Sequence, residues 1–120
     1  MQKYIIPSKD LVRLRHMLDS TEAILHYTIH KQRSDLDQDR LLASGLVREL
    51  EIIGEAAARI SPETAAHFQT IPWKQMIGMR NRLIHAYFDI DYDILWLTLE
   101  RALPPLKEKL QEILSAIDNG

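Results

Sequence analysis

Apolar residues recur at intervals of three and four along almost the whole chain, and this spacing limits the possible folds more than any other feature. Near the carboxyl end, one apolar stripe keeps its phase across two adjacent prolines: Trp96, Leu99, Leu103, Leu106, Leu110, Ile113 and Ile117. Because a helix that ended at Pro104-Pro105 would lose this phase, the stripe predicts one long helix that is kinked at the prolines. No segment alternates apolar and polar residues as a half-buried strand does.

The first predicted helix begins near the amino terminus. Ser8, which follows Pro7, is a candidate N-cap, and the helix is expected to end near Gln32 in a polar run. Its apolar stripe consists of Leu11, Leu14, Leu18, Thr21 and Leu25.

The second predicted helix starts around residues 37–39. Its apolar stripe consists of Leu42, Leu46, Leu50, Ile53, Ala57 and Ile60. Gly54 lies inside this helix, where glycine costs about 1 kcal/mol relative to alanine. We therefore expect Gly54 to permit the close approach of another helix.

Start signals divide the remaining chain into a short helix and two main ones. Ser61 and Pro62 fit the N-cap and first residue of a short helix that ends near Phe68. Residues 71–87 are predicted to form the next helix, and Asp89 or Asp91 is available to cap the last one. The sequence thus predicts an all-α fold, an antiparallel up-and-down bundle of four main helices and one short helix, in a single domain over residues 1–120.

The composition excludes several classes of protein. Hydrophobic residues make up 46% and charged residues 27%, as in ordinary folded domains. The absence of cysteine removes disulfides, thiolate nucleophiles and zinc sites that need sulfur. A net charge of −2 argues against non-specific coating of nucleic acid but leaves a local basic pocket open. Without a signal peptide or an apolar run of about 20 residues, a soluble cytoplasmic protein that makes no membrane contact is expected.

The densest group of polar side chains on an otherwise apolar stretch comprises Arg80, Asn81, Arg82, His85 and Tyr87. Guanidinium binds phosphate in a bidentate manner, and imidazole can accept or donate a proton near neutral pH. An arginine and a histidine are the minimum for metal-free RNA cleavage, because the 2′-hydroxyl supplies the nucleophile. The alternative is structural, with these side chains capping carbonyls or pairing with nearby aspartates. From the residues alone, that alternative is favoured.

The stretch IPWKQMIGMRNRLIHAYFDIDYDILW resembles the signature region of HEPN-domain proteins, specifically the HepT-like ribonuclease toxins of type VII toxin-antitoxin systems. The segments EIIGEAAARISPE and LPPLKEKL are similar to neighbouring helices of that family, so the resemblance extends from about Leu41 onward. The core motif of the family is an arginine, four to six residues, a histidine, one residue and a tyrosine. Here it reads Arg80, His85 and Tyr87.

This resemblance implies a HEPN-like bundle and a metal-independent endoribonuclease that needs no cofactor. Arg80 would stabilise charge on the phosphate and His85 would act as general acid or base, with Asn81 and Arg82 in supporting roles. The implied partners are an RNA substrate and a minimal nucleotidyltransferase antitoxin that transfers AMP from ATP to Tyr87. The resemblance also implies a homodimer whose two motifs face one shared cleft.

Helix geometry adds a constraint on the motif. At about 100° per residue, Arg80 and His85 lie about 140° apart around an ideal helix, whereas Arg80 and Tyr87 share a face. Arg80 and His85 therefore cannot both point into one cleft from a straight helix. Either the helix frays near His85, or two copies of the motif meet across a dimer.

Two further functions stay open beside the nuclease. One is a catalytically silent helical partner of a nucleotidyltransferase, and the other is a helical dimerisation module in which the motif is structural. The intact Arg80 and His85 favour the nuclease, whose target could be messenger or transfer RNA.

Other polar side chains are weaker candidates. His26 and His30 have the spacing of a two-histidine metal pair, but without a third ligand an ordinary half-exposed face is the preferred interpretation. No metal site is therefore predicted. Solvated faces are likewise preferred for two acidic groups: Glu49, Glu51 and Glu55, and Asp89, Asp91 and Asp93.

Overall fold

The computed structural model describes the backbone of residues 4–85 and 90–118, together with their side chains except those of residues 84 and 85. Within these ranges the chain forms helices and no strands. The helices are α1 (Ser8–Tyr27), α2 (Asp35–Gln38), α3 (Arg40–Ala58), α4 (Pro62–His67), α5 (Trp73–His85) and α6 (Tyr92–Asp118). No helix in the described ranges combines the length and apolar character that spanning a bilayer requires.

Four long helices, α1, α3, α5 and α6, form an antiparallel bundle. Helix α3 packs between α1 and α5, and α6 packs along α1. Hydrogen bonds give the direction of α3, since Ser61, just beyond its end, donates to Asp10 while Ser20 donates to Glu49. The all-α bundle predicted from the sequence is confirmed, and the polar linker before α3 holds an additional short helix, α2, because Leu36 is buried there.

The core lies along the line where the four long helices meet. Its most deeply buried side chains are Leu14, Met17, Ile24, Leu46, Leu50, Ile53, Met76, Leu103, Leu106 and Leu110, all at most 1% exposed. Complete burial of such a side chain contributes about 1.5–3 kcal/mol. This core stabilises the bundle and includes buried residues of α5, the helix that carries the polar motif.

The first helix departs from its prediction at both ends and in its buried face. Pro7, not Ser8, occupies the N-cap position, and its carbonyl accepts from the amide of Leu11. The helix ends at Tyr27 rather than near Gln32. Its fully buried face consists of Asp10, Leu14, Met17, Ser20, Thr21 and Ile24, whereas the leucines at 11, 18 and 25 are half-buried.

The predicted start of α3 and the predicted caps of α4 and α6 are confirmed. Asp39 accepts from the amide of Leu42 at the start of α3, and Ser61 caps α4 with Pro62 as its first residue. Asp91, of the two predicted candidates, caps α6. Helix α6 then runs through Pro104 and Pro105 as one helix, as the unbroken stripe predicts, and the kink at these prolines stays a prediction.

Candidate functional site

Helix α5 carries the polar motif, and its position is set by Trp73 at its start. The indole Nε1 donates to the carbonyl oxygens of Ala65 and Phe68, both at 3.1 Å, which ties the beginning of α5 to α4. Three apolar side chains farther along α5, Met76, Met79 and Leu83, are buried in the core. The polar residues of the motif lie on the other faces of α5.

Arg80 lies where α5 crosses α3, directly against Gly54. A Cβ atom built on Gly54 would stand 2.1 Å from Cβ and 2.8 Å from Cγ of Arg80, and 2.9 Å from the carbonyl oxygen of Met76. Non-bonded carbon atoms prefer about 3.5–4.0 Å, so no residue with a side chain fits here without displacement. The predicted close approach at Gly54 is confirmed, and the group that approaches is the stem of Arg80.

The head of Arg80 has no internal partner in the described part of the chain. Its Nε is buried and donates no hydrogen bond there, and no described carboxylate lies within 4.0 Å of the guanidinium. A buried donor without an acceptor costs about 1–3 kcal/mol, and more when it is charged. This side chain is therefore held firmly at its stem while its cationic end can accept an anion.

The aspartates that could have paired with Arg80 or Arg82 have other partners. Asp93 accepts from Nε of Arg33 at 2.6 Å, and Asp91 caps α6. Asp89, the third member of that acidic group, lies outside the described residues. The structural alternative, in which these aspartates pair with the motif arginines, has no support from Asp91 or Asp93.

Arg82 and Asn81 are both exposed, and Arg82 lies on a different side of α5 from Arg80. Arg82 borders a mainly apolar cavity of about 200 Å³ between α3, α5 and α6. The cavity is lined by Leu50, Met79, Arg82, Leu83, Ile90, Asp91, Ile94, Leu95 and Thr98. Arg80 and Arg82 are thus about 200° apart around α5.

His85 is the last residue of α5, and its side chain lies outside the described residues, as does the whole of Tyr87. The backbone of α5 is helical as far as His85. The offset of about 140° between Arg80 and His85 therefore applies to this helix.

The two weaker histidine candidates lie in different backbone settings. Because α1 ends at Tyr27 and His30 adopts a φ of 60°, His26 and His30 do not share a helical face. No three histidine, aspartate or glutamate side chains converge as a metal-binding group in the described ranges.

The acidic face of α3 is engaged within the protein. Ser20 donates to Glu49, while Glu51 and Glu55 lie 3.6 and 4.0 Å from Arg48.

A buried cluster around Asp10 was not predicted. Asp10 accepts from the amide of Ser61 at 3.0 Å, from its hydroxyl at 2.5 Å and from the Thr64 hydroxyl at 2.6 Å. Burial acts to raise the pKa of Asp10, but the hydrogen bonds from Ser61 and Thr64 outweigh it and hold the pKa below its ordinary value. The cluster joins α1 to α4 and so supports the start of α5. Its partners are more than 50 positions apart in the sequence, so no local pattern could have revealed it.

Comparison with known proteins identifies the family. The family described as "Ribonuclease HepT-like" matches residues 17–113 of the chain. A protein of Caldanaerobacter subterraneus subsp. tengcongensis named "Putative RNase TTE0752" is 37% identical over 101 residues, which cover 84% of this chain and 90% of that protein. The "Probable ribonuclease HepT" of Thermococcus cleftensis is 35% identical over 100 residues, covering 83% of this chain and 91% of the relative.

A longer relative is also similar to this chain. The Methanocaldococcus jannaschii protein named "Gamma-glutamylcyclotransferase and putative RNase MJ0434" is 35% identical over 109 residues. The match covers 91% of this chain but 49% of that protein, so the chain spans about half the length of this relative. No solved structure matches the chain at a comparable level of significance. The family match covers most of the bundle, including Gly54 and the polar residues of α5, and the chain therefore belongs to the HepT-like ribonuclease family.

Proposed function

We propose that this protein is a metal-independent endoribonuclease that acts as the toxin of a toxin-antitoxin pair. Arg80 stabilises negative charge on the scissile phosphate, and His85 transfers protons. Asn81 and Arg82 assist in binding RNA. The antitoxin is a nucleotidyltransferase that inactivates the enzyme by transferring AMP from ATP to Tyr87.

The observation that carries this proposal is the environment of Arg80. Its stem is packed against Gly54, and its buried Nε has no acceptor in the described ranges. A cation that is positioned before substrate arrives stabilises developing charge without first reorganising. A phosphate oxygen is the acceptor that the planar guanidinium binds best. The position of Arg80 thus supports a role in phosphate chemistry over a role in packing alone.

The proposed reaction is transfer of the phosphate to the neighbouring 2′-hydroxyl of the RNA. His85 accepts the 2′-hydroxyl proton as this oxygen attacks phosphorus, and the bond from phosphorus to the 5′-oxygen breaks. The departing 5′-oxygen takes a proton from a second imidazole, so the products are a 2′,3′-cyclic phosphate and a free 5′-hydroxyl. The charge on the five-coordinate phosphorus is stabilised by Arg80.

A homodimer supplies the second imidazole in this proposal. The backbone of α5 is helical as far as His85, which supports the dimer over fraying before that residue. In a twofold dimer the same surface of each protomer faces its copy, so the shared cleft receives both motifs. Arg80 of one protomer then faces His85 of the other.

RNA cleavage by the purified protein tests the enzymatic part of the proposal. Cleavage is expected to persist in excess EDTA and to leave 2′,3′-cyclic phosphate ends or the 3′-phosphate ends that form when these are hydrolysed. Arg80→Ala should lower the rate about 100-fold or more, as loss of an electrostatic stabiliser does. Arg101→Ala, which removes an exposed arginine of α6, is the matched control and should retain the wild-type rate. A strict Mg²⁺ requirement, or full activity of Arg80→Ala, would contradict this mechanism.

Expression and mass spectrometry test the toxin-antitoxin part. Expression should arrest growth, and His85→Ala should abolish the arrest. Incubation with the nucleotidyltransferase encoded beside it, ATP and Mg²⁺ should add AMP to the wild type but not to Tyr87→Phe, with loss of cleavage. Inhibition of an unmodified wild type would show that the partner blocks the site by occlusion. A protein that binds this partner but cleaves no RNA would instead be the silent subunit.

A further inference from the structure

The packing of Arg80 against α3 makes Gly54 a determinant of where the guanidinium lies. The three atoms nearest to a Cβ built at this position all belong to one turn of α5: Cβ and Cγ of Arg80 and the carbonyl oxygen of Met76. None of them is the free end of a flexible side chain. The stem of Arg80 is thus seated on the bare backbone of α3.

We propose that Gly54 is a positioning residue for the nuclease reaction, acting through Arg80. The inference rests on the function proposed above and assigns a role to a residue on a different helix from the motif. The absence of a side chain at Gly54 lets the stem of Arg80 lie against α3, which determines how far and in which direction its head extends. The motif of α5 therefore depends on one residue that it does not contain.

The distances give the size of the effect of a single methyl group. Relief of the 2.1 Å contact with Arg80 Cβ to an ordinary separation requires a retreat of about 1.5 Å or more. Because Cβ is fixed to the backbone, this retreat must move the turn of α5 and cannot be absorbed by rotation of the side chain. A displacement of about 1 Å in a reacting group can lower a rate about 100-fold. Gly54→Ala is therefore expected to lower kcat by about 10- to 100-fold.

The matched control is Gly45→Ala in the same helix. A Cβ at Gly45 meets only the ring of Tyr27, at 4.0 Å, which is an ordinary contact. Both substitutions replace glycine by alanine inside α3 and raise its helix propensity equally. Gly45→Ala should keep the wild-type cleavage rate and gain thermal stability, so a loss confined to Gly54→Ala comes from its location.

A double-mutant cycle separates positioning of Arg80 from general damage. Cleavage rates are measured for Gly54→Ala, Arg80→Gly and the double variant, with folding followed by circular dichroism. In the Arg80→Gly background, which lacks both clashing carbon atoms, Gly54→Ala should cause no further loss of rate. A second loss of the same size would overturn the inference, as would a folded Gly54→Ala variant with kcat within twofold of the wild type.

A folding failure of Gly54→Ala would also be informative. If Arg80 is the obstacle, the double variant should regain the helical signal and the unfolding transition that Gly54→Ala lacks. A double variant that stays unfolded would assign the clash to the backbone at Met76 and overturn the inference. These two folding outcomes do not depend on whether the protein cleaves RNA. Full activity of Arg80→Ala would refute the proposed function but would leave the packing of Gly54 against Arg80 unaffected.

Discussion

The buried cluster that joins α1 to α4 depends on the charge of Asp10, which Asp10→Asn removes. The carboxylate is 4% exposed and accepts three hydrogen bonds, from the amide and hydroxyl of Ser61 and the hydroxyl of Thr64. Hydrogen bonds to a charged group contribute about 1.5–3 kcal/mol each, against about 0.5–1.5 kcal/mol for neutral pairs. In asparagine an NH₂ group, which cannot accept a hydrogen bond, would face the hydroxyl groups that donate to Asp10. We expect a loss of about 2–3 kcal/mol at neutral pH.

The same substitution should change the dependence of stability on pH. The pKa of Asp10 is lower in the folded state, because the hydrogen bonds outweigh the effect of burial. Its contribution is therefore complete above the unfolded-state pKa, near pH 4, and disappears as the pH falls through the lower folded-state value. The stability difference between wild type and Asp10→Asn should be constant from pH 7 to about pH 5 and shrink in more acidic solution.

Thermal and urea unfolding followed by circular dichroism measure this prediction. For a domain of this length, 1 kcal/mol corresponds to about 4 °C in Tm, so Asp10→Asn should lower Tm by about 8–12 °C. Asp19→Asn, on the exposed face of the same helix, is the matched control and should shift Tm by less than about 2 °C. If Asp10→Asn is as stable as the wild type at pH 7, or the difference persists unchanged to pH 3, the assignment of the cluster is wrong.

Three further substitutions test the ends and the course of the helices. Asp91→Ala removes the acceptor for two amides at the start of α6 and should lower the free energy of unfolding in urea by about 1 kcal/mol. Asp91→Asn keeps an oxygen acceptor and should retain most of this stability. Arg33→Ala breaks the ion pairs with Asp37 and Asp93, so Tm should fall measurably at low salt and by less in 1 M NaCl; an equal loss at both salt concentrations would contradict an electrostatic origin. Pro105→Ala restores an amide inside α6 and should raise Tm by about 4–12 °C, while a decrease would show that the proline fits this helix better than alanine.

The helices could be predicted from the sequence where local signals define them. Ser61 and Asp91 act as caps for amides that lie within three residues of them, and the apolar stripe of α6 persists through its prolines. Such contacts lie within one turn of helix and leave a mark in a short stretch of sequence. These local features do not depend on how the helices pack. Predictions based on them therefore agree with the structure.

Features that depend on distant residues could not be predicted in the same way. The buried face of α1 includes Asp10 and Ser20, whose partners, Ser61 and Glu49, follow 51 and 29 positions later. The predicted stripe therefore includes two residues of the buried face, Leu14 and Thr21, while its other leucines lie at the edge of that face. Likewise, nothing local distinguishes Leu36, which is buried and marks α2, from an apolar residue in a solvated loop.

The candidate site combines both kinds of information, and Gly54 shows how. The motif of α5 contains the cation of Arg80 and the imidazole of His85. The stem of Arg80, however, packs against Gly54 of α3, which lies outside the motif. Intrinsic helix propensity favours alanine over glycine by about 1 kcal/mol inside a helix, so Gly54 weakens α3 as an isolated helix. The bundle gains from it the contact that holds the stem of Arg80. Intrinsic helix propensity and the packing of α5 thus place opposite demands on this position: an alanine here should favour α3 as an isolated helix, while its Cβ should displace Arg80, the proposed catalytic arginine.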